Sequence, residues 1–122
     1  MAITTGVDIV NVNRIKRIIQ SKKKTFLQRI FSEKEIEYCE KKVNKYQHYA
    51  ARFAAKEAFL KALPHGPALL TYKDIEVYRE LSAPSIRIRD QKRKGIKLPK
   101  TIALSISHEK EFAVAVVVLE YR

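Results

Sequence analysis

Glu57 is a carboxylate at a position where the surrounding pattern predicts an apolar residue. It lies in the stretch RFAAKEAFLKAL, whose apolar residues recur at the spacing of a helix with one face in the core. Phe53 precedes it by four positions and Leu60 follows it by three, so Glu57 sits on or beside the apolar stripe. An unpaired carboxylate is costly there. The spacing offers Lys61 at i+4 as a surface partner, in a pair worth only about 0.3–0.5 kcal/mol.

Two further residues stand where strands are interrupted or end. Asp8 interrupts the β-branched stretch ITTGVDIVNV, and a strand-end aspartate that caps a turn is the ordinary alternative to a functional carboxylate. His108 follows the alternating stretch TIALSIS directly before a turn, where an imidazole can donate to a phosphate oxygen. A solvated histidine is the alternative.

The net charge indicates an anionic partner. The chain has 25 Lys and Arg against 13 Asp and Glu, which leaves +12 on 122 residues. Such a field attracts nucleic acid, a membrane surface or an acidic protein, although a charge run can also be a solvated face. Seven cations without an intervening acid lie between Asp8 and Glu33: Arg14, Lys16, Arg17, Lys22, Lys23, Lys24 and Arg29. A second basic cluster comprises Arg87, Arg89, Lys92, Arg93, Lys94 and Lys97.

Length and composition predict a single domain over residues 1–122. The sequence has no apolar run of the ~18 residues that a membrane span requires, and its start does not resemble a signal peptide, so we expect a cytoplasmic protein. The only cysteine, Cys39, excludes an intrachain disulfide and a cysteine-based zinc cluster. We expect it to be a core thiol within a helix.

Helices are predicted in the first half of the chain, after the strand that contains Asp8. The stretch 13–20 is a short amphipathic helix, and Ser32 with Glu35 forms a capping box that begins the next one. The helix that carries Glu57 runs from about Gln47 to Leu63 and stops at the prolines of PHGP.

Strands are predicted in the second half. DIEVYREL and SIRIRD alternate around SAP as a hairpin, and TIALSIS alternates again. FAVAVVVLEY is apolar on both faces, which predicts burial on both sides by its own domain or by another subunit. We therefore expect an α+β fold in which an antiparallel sheet packs with helices.

Three of these stretches, GVDIV, RFAAKEAFLKAL and SISHEKEFAVA, carry a resemblance in their order and spacing. The chain resembles the phosphopantetheinyl transferases of the small holo-acyl-carrier-protein synthase type over almost its whole length. The resemblance implies that family's fold and that Asp8 and Glu57 ligate Mg²⁺. Mg²⁺ is commonly bound by one or two carboxylates with phosphate oxygens and water, which suits this pair.

The implied reaction moves the 4′-phosphopantetheine of coenzyme A onto a serine of an acyl carrier protein and releases adenosine 3′,5′-bisphosphate, a step in fatty acid biosynthesis and lipid metabolism. Asp8, Lys56 and Glu57 are the implied catalytic residues, with Glu57 or a metal-bound water as the base. The implied coenzyme A-binding residues are Arg52, Lys56, Lys61, His65, Gly66, Ser107 and His108. Arg14 and Arg17 are the implied carrier-binding residues.

The sequence departs from the family in two loops. Where the family has a G-T-G loop, this chain has Pro64, His65, Gly66 and Pro67, and His65 is a candidate side-chain donor there. The family's G-K-P turn is represented by Ala83 and Pro84. The resemblance also implies a homotrimer with active sites between protomers, and neither a nucleic acid nor a membrane as partner.

Two alternatives to a transferase stay open at this point. A small basic nucleic-acid-binding domain accounts for the charge of NRIKRIIQSKKK but not for Glu57, and that stretch has few aromatic residues for base stacking. A catalytically silent scaffold subunit is the other alternative.

Overall fold

The computed structural model describes residues 2–64, 69–81, 83–89 and 95–122. A strand and three helices come first in the chain, and a short 3₁₀ turn and four strands follow. They are β1 (Ala2–Asn11), α1 (Val12–Ile30), α2 (Glu33–Glu40), α3 (Lys45–Ala62), the turn Tyr72–Asp74, β2 (Ile75–Glu80), β3 (Ala83–Ile88), β4 (Thr101–His108) and β5 (Phe112–Tyr121).

The strands form two antiparallel units. One is a three-stranded sheet in the order β1-β5-β4, and the other is the β2-β3 hairpin. The first strand of the chain thus pairs with the last, Asp8 opposite Ala115 and Ala115 opposite Ile106. This is the α+β architecture with antiparallel pairing that the sequence predicts.

The prediction for α1 is wrong in length. The helix continues to Ile30 past a non-helical residue, Lys22 (φ −137°, ψ 44°). The lysines around this break hide the apolar spacing, but Leu27 and Ile30 beyond it are buried and hold the second half against the core.

Helix α2 begins at the predicted capping box. The Ser32 Oγ accepts from the Glu35 backbone N–H at 3.2 Å, and the Glu35 Oε1 accepts from the Ser32 N–H at 2.8 Å. Cys39 is fully buried in α2, as expected, and burial raises the pKa of its thiol to about 12.

Helix α3 packs closely on one face of the three-stranded sheet. Its alanines at 54, 58 and 62 are buried, and Gly6 of β1 lies against the backbone of Ala58 and Ala62. A Cβ atom at Gly6 would lie 1.9 Å from the carbonyl oxygen of Ala58, so only glycine permits this approach. The contact fixes β1, and with it Asp8, against the helix that carries Glu57.

The opposite face of the sheet is not covered by any described part of the chain. Buried and more exposed residues alternate along β5, so the chain itself buries one face of this strand, and cover of the other face by another subunit stays a prediction. Val7 and Ile9 of β1 are 57% and 63% exposed, and Val116 between the outer strands is 39% exposed. The strand register places these residues on this open face: Ile3, Thr5, Val7, Ile9, Ala103, Ser105, Ser107, Phe112, Val114, Val116 and Val118.

None of the described helices combines the length and the apolar character needed to cross a membrane.

Candidate active site

Asp8 lies on the face of β1 that packs against α3. Its Oδ1 accepts a hydrogen bond from the Lys61 Nζ at 3.0 Å, and the same ammonium donates to the Val7 carbonyl at 3.1 Å. The Asp8 side chain is 16% exposed, whereas that of Lys61 is 53% exposed. The carboxylate is therefore held at the edge of the helix rather than in solvent.

Glu57 lies one turn before Lys61 on α3, but the two do not pair. Its Oε1 accepts a short hydrogen bond from the hydroxyl of Tyr72. No ion pair among the described residues joins Glu57 to Lys61. The alternative that the i+4 spacing offered, a surface pair of these two residues, is therefore wrong. The unusual position of Glu57 is explained in the structure by Tyr72.

Asp8 and Glu57 lie close to the same stretch of α3, because Asp8 binds Lys61, which follows Glu57 by one turn. The pKa of Tyr72 is raised to about 12, first by burial, then by the hydrogen bond to Glu57, and then by the charges of Glu57 and Asp8. Two residues 49 positions apart in sequence are thus brought to one place by the packing of β1 on α3.

The donor set fits Mg²⁺ when a phosphorylated ligand completes it. Nowhere in the described ranges do three or more His, Cys, Asp or Glu side chains cluster to hold a metal ion alone. Two carboxylates do suit Mg²⁺, which often keeps water and binds substrate phosphates besides one or two protein oxygens.

Lys56 points away from this pair, into the core. It has no exposed surface, and its Nζ donates to the Ile30 carbonyl and to Glu35 Oε1, both at 2.7 Å, and to the Tyr72 carbonyl at 3.1 Å. Burial lowers the pKa of the ammonium, and the Glu35 carboxylate opposes that shift. An ammonium with three buried acceptors has no proton left for a coenzyme phosphate, which argues against the expected direct contact.

Two other predicted residues, Arg52 and His108, line a cavity of about 290 Å³. Its walls are the basic side chains of His48, Arg52, Arg79 and His108 and the apolar side chains of Ala51, Val77, Pro84 and Ile106. Arg52 is 5% exposed, its guanidinium stacks 4.0 Å from the ring centre of Tyr38, and its Nε has no hydrogen-bond partner within the described residues. A buried, incompletely bonded cation of this kind favours an anionic ligand.

The two histidines of this cavity are in contact, with ring centres 5.1 Å apart. The His108 Nδ1 lies 3.0 Å from Gln47 Oε1, an oxygen that can only accept, so Nδ1 is the donor of this bond. The pKa of His48 is lowered to about 4, first by burial and then by the positive charges of His108, Arg52, Lys42 and Arg79. The cavity therefore disfavours further positive charge.

The remaining predicted residues lie elsewhere. Ser107 faces the open face of the sheet, opposite to its neighbour His108, because side chains alternate along β4. Arg14 and Arg17 are exposed near the start of α1. His65 and Gly66 lie outside the described residues.

Tyr72 and His48 are not among the residues predicted from the sequence. His48 precedes Arg52 by four residues on α3, so the helical spacing was a usable signal. Thr71 and Asp74 mark the turn that carries Tyr72, but nothing local connects that turn with Glu57.

The family follows from comparison with known proteins. The family model described as "4'-phosphopantetheinyl transferase superfamily" matches residues 4–117. The chain belongs to this superfamily. It is 42% identical to the holo-[acyl-carrier-protein] synthase of Geobacter metallireducens, over 98% of each chain.

Solved structures agree with this assignment. The holo-[acyl-carrier-protein] synthase of Helicobacter pylori, in complex with coenzyme A, superposes with a TM-score of 0.83 at 36% identity, covering 95% of this chain and 99% of that one. The enzyme of Bacillus anthracis, in complex with CoA (3',5'-ADP), gives 0.80 at 35% identity, covering 99% and 100%. The family and the fold predicted from the sequence are confirmed.

Proposed function

We propose that this chain transfers the 4′-phosphopantetheine group of coenzyme A to a serine of an apo acyl carrier protein and releases adenosine 3′,5′-bisphosphate. The relatives' names and the coenzyme in two neighbouring structures support this activity. The observation that carries it is that Asp8 and Glu57 come to one place: Glu57 binds the Tyr72 hydroxyl, and Asp8 binds Lys61, which lies one turn after Glu57 on α3. A nucleic-acid-binding domain would not require two carboxylates at one place. The cytoplasmic location stays a prediction from the sequence.

Asp8 and Glu57 are the residues that would hold Mg²⁺. When bound, Mg²⁺ offsets the negative charge of the pyrophosphate and of a loose phosphoryl-transfer transition state. Lys61 is the described cation at this place, and its ammonium, which is half exposed, can also reach a phosphate oxygen. Glu57 is the candidate base for the proton of the carrier serine, with a solvent water as the alternative.

The basic cavity is the proposed place for an anionic group of the coenzyme. Arg52 supplies a fixed guanidinium, and His108, oriented by Gln47, presents its other ring nitrogen. Buried donors held in place bind phosphate oxygens more strongly than solvated ones. We assign Lys56 to positioning instead, because its ammonium is fully used inside the protein.

The exposed cations of α1 are the proposed docking surface for the acidic carrier protein. Arg14 and Arg17 lie on its first two turns, and Asn11 Oδ1 fixes this end by accepting from the Arg14 N–H at 2.9 Å. Charges at the rim of an interface chiefly set the rate of encounter and its dependence on salt.

The open face of the sheet supports the proposed homotrimer. Apolar side chains that the described chain leaves exposed, such as Val7, Ile9 and Val116, are natural contacts between protomers. Ser107 lies on the same face, so its predicted contact with coenzyme A would be made in a site shared with a neighbouring protomer.

The test is mass spectrometry of an apo acyl carrier protein after incubation with coenzyme A and Mg²⁺, since transfer adds about 340 Da. Asp8→Asn and Glu57→Gln keep size and remove a charge, so both variants should fold, lose most turnover and need more Mg²⁺. Glu40→Gln is a matched control, because Glu40 binds Tyr49 and Lys45 outside the site. Near-normal turnover of either site variant at limiting Mg²⁺ would refute the shared metal site.

A further inference from the structure

Tyr72 lies in a turn whose own hydrogen bonds fix it. Asp74 Oδ2 accepts from the Thr71 backbone N–H at 2.8 Å and from its hydroxyl at 3.0 Å. Asp74 is buried, so this capping arrangement is protected from water. These hydrogen bonds hold the backbone at Tyr72 without any contribution from the Tyr72 side chain.

Two contacts from α3 hold Tyr72 in place. Its carbonyl accepts from the buried Lys56 Nζ at 3.1 Å, and that ammonium also binds Glu35 and the Ile30 carbonyl. Its ring packs on Phe53, with ring centres 5.3 Å apart. Tyr72 is thus held at its backbone carbonyl and on one face of its ring, and its hydroxyl lies at a defined place beside Glu57.

We propose that Tyr72 is a positioning residue for Glu57. Its hydroxyl donates to Oε1 and holds the carboxylate in one orientation, which leaves Oε2 as the oxygen for Mg²⁺. A free glutamate side chain loses rotamer freedom when it binds a metal, and a fixed donor removes part of that cost in advance. Partners that orient metal-binding carboxylates commonly affect metal affinity by about 10–100-fold. This inference rests on the proposed metal site.

The experiment is a titration of the whole protein with Mg²⁺ by calorimetry, with saturating coenzyme A and no carrier protein. Tyr72→Phe keeps the ring on Phe53 and removes only the hydroxyl. We expect Mg²⁺ to bind at least about tenfold more weakly. Tyr49→Phe is the matched control, because the Tyr49 hydroxyl donates to a carboxylate, Glu40, at 2.6 Å outside the site. It should leave Mg²⁺ binding unchanged.

Unchanged or tighter Mg²⁺ binding by Tyr72→Phe would overturn the proposal, since the hydroxyl would then be neutral or would compete with the metal. A metal-free melting temperature that falls well below that of Tyr49→Phe, with a matching loss of binding, would assign Tyr72 to stability alone and also overturn it. Glu57→Gln separates the two proposals. If Glu57→Gln abolishes binding and Tyr72→Phe does not change it, the metal site stands and the role of Tyr72 falls.

Discussion

Substitution of Gly6 by alanine should damage the fold and the active site together. The added Cβ would lie 1.9 Å from the Ala58 carbonyl oxygen and 2.9 Å from the Ala62 nitrogen, where side-chain carbons almost never come closer than 3.0 Å. Both atoms belong to the helix backbone, so no side chain can rotate away. Strand β1 and helix α3 must separate by roughly 1 Å, the difference between 1.9 Å and an allowed contact.

The size of both effects follows from that separation. Overpacking of a close interior contact costs about 1–3 kcal/mol, which chemical denaturation measures as a fall in the free energy of unfolding. Asp8 lies two residues after Gly6 and on the same face of β1, so it moves away from Glu57 by a similar distance. A misplacement of about 1 Å can lower kcat/KM by about 100-fold, which the carrier mass-shift assay measures.

A second variant tests the proposed cause. Ala58→Gly removes a methyl group but not the carbonyl oxygen that clashes, so Gly6→Ala/Ala58→Gly should show no rescue. It should be less stable still, by about 1 kcal/mol for a glycine inside a helix. Wild-type stability and kcat/KM in Gly6→Ala, or rescue by Ala58→Gly, would show that the close backbone contact at Gly6 does not set the position of Asp8.

Two further predictions concern the assembly and the basic cavity. Val116→Glu would bury like charges across the proposed interface, so light scattering should find inactive single chains of 14.1 kDa. Val43→Glu is the control and should stay assembled, because Val43 is a fully exposed turn residue. Full activity of a single unmutated chain would contradict the proposed trimer. The His48 pKa of about 4 lies below its ordinary value of 6.5, so neutral His48 stabilises the fold above pH 6.5 and this contribution is lost as pH falls towards 4. Adenosine 3′,5′-bisphosphate in the cavity should raise that pKa in an NMR titration, and an unchanged value would place the anion elsewhere.

Local patterns predicted the elements well because their causes are local. The capping box at Ser32 and Glu35 needs only residues three positions apart, and alternation along β4 needs only the pleat of a strand. The length of α1 was missed because three successive lysines interrupt the apolar spacing, and burial of Ile30 by distant elements holds the helix beyond them.

The site was predictable in its residue types but not in its contacts. The motif indicated Asp8 and Glu57, yet Tyr72 reaches Glu57 across 15 residues and His108 reaches Gln47 across 61. Hydrogen bonds of that separation depend on how β1, β4 and the turn pack on α3, and no spacing within one element specifies them.

Lys56 shows that a sequence motif specifies the type of a residue but not the direction in which its side chain points. Adjacent residues of a helix point about 100° apart, so Lys56 and Glu57 cannot both face one ligand at the edge of α3. The structure turns the ammonium inward, onto the Glu35 carboxylate and two carbonyls, one of them that of Tyr72. The carboxylate turns to the hydroxyl of the same tyrosine. The two neighbours are thus joined through Tyr72, and the buried charge of Lys56 helps to set the orientation of Glu57 without touching the ligand.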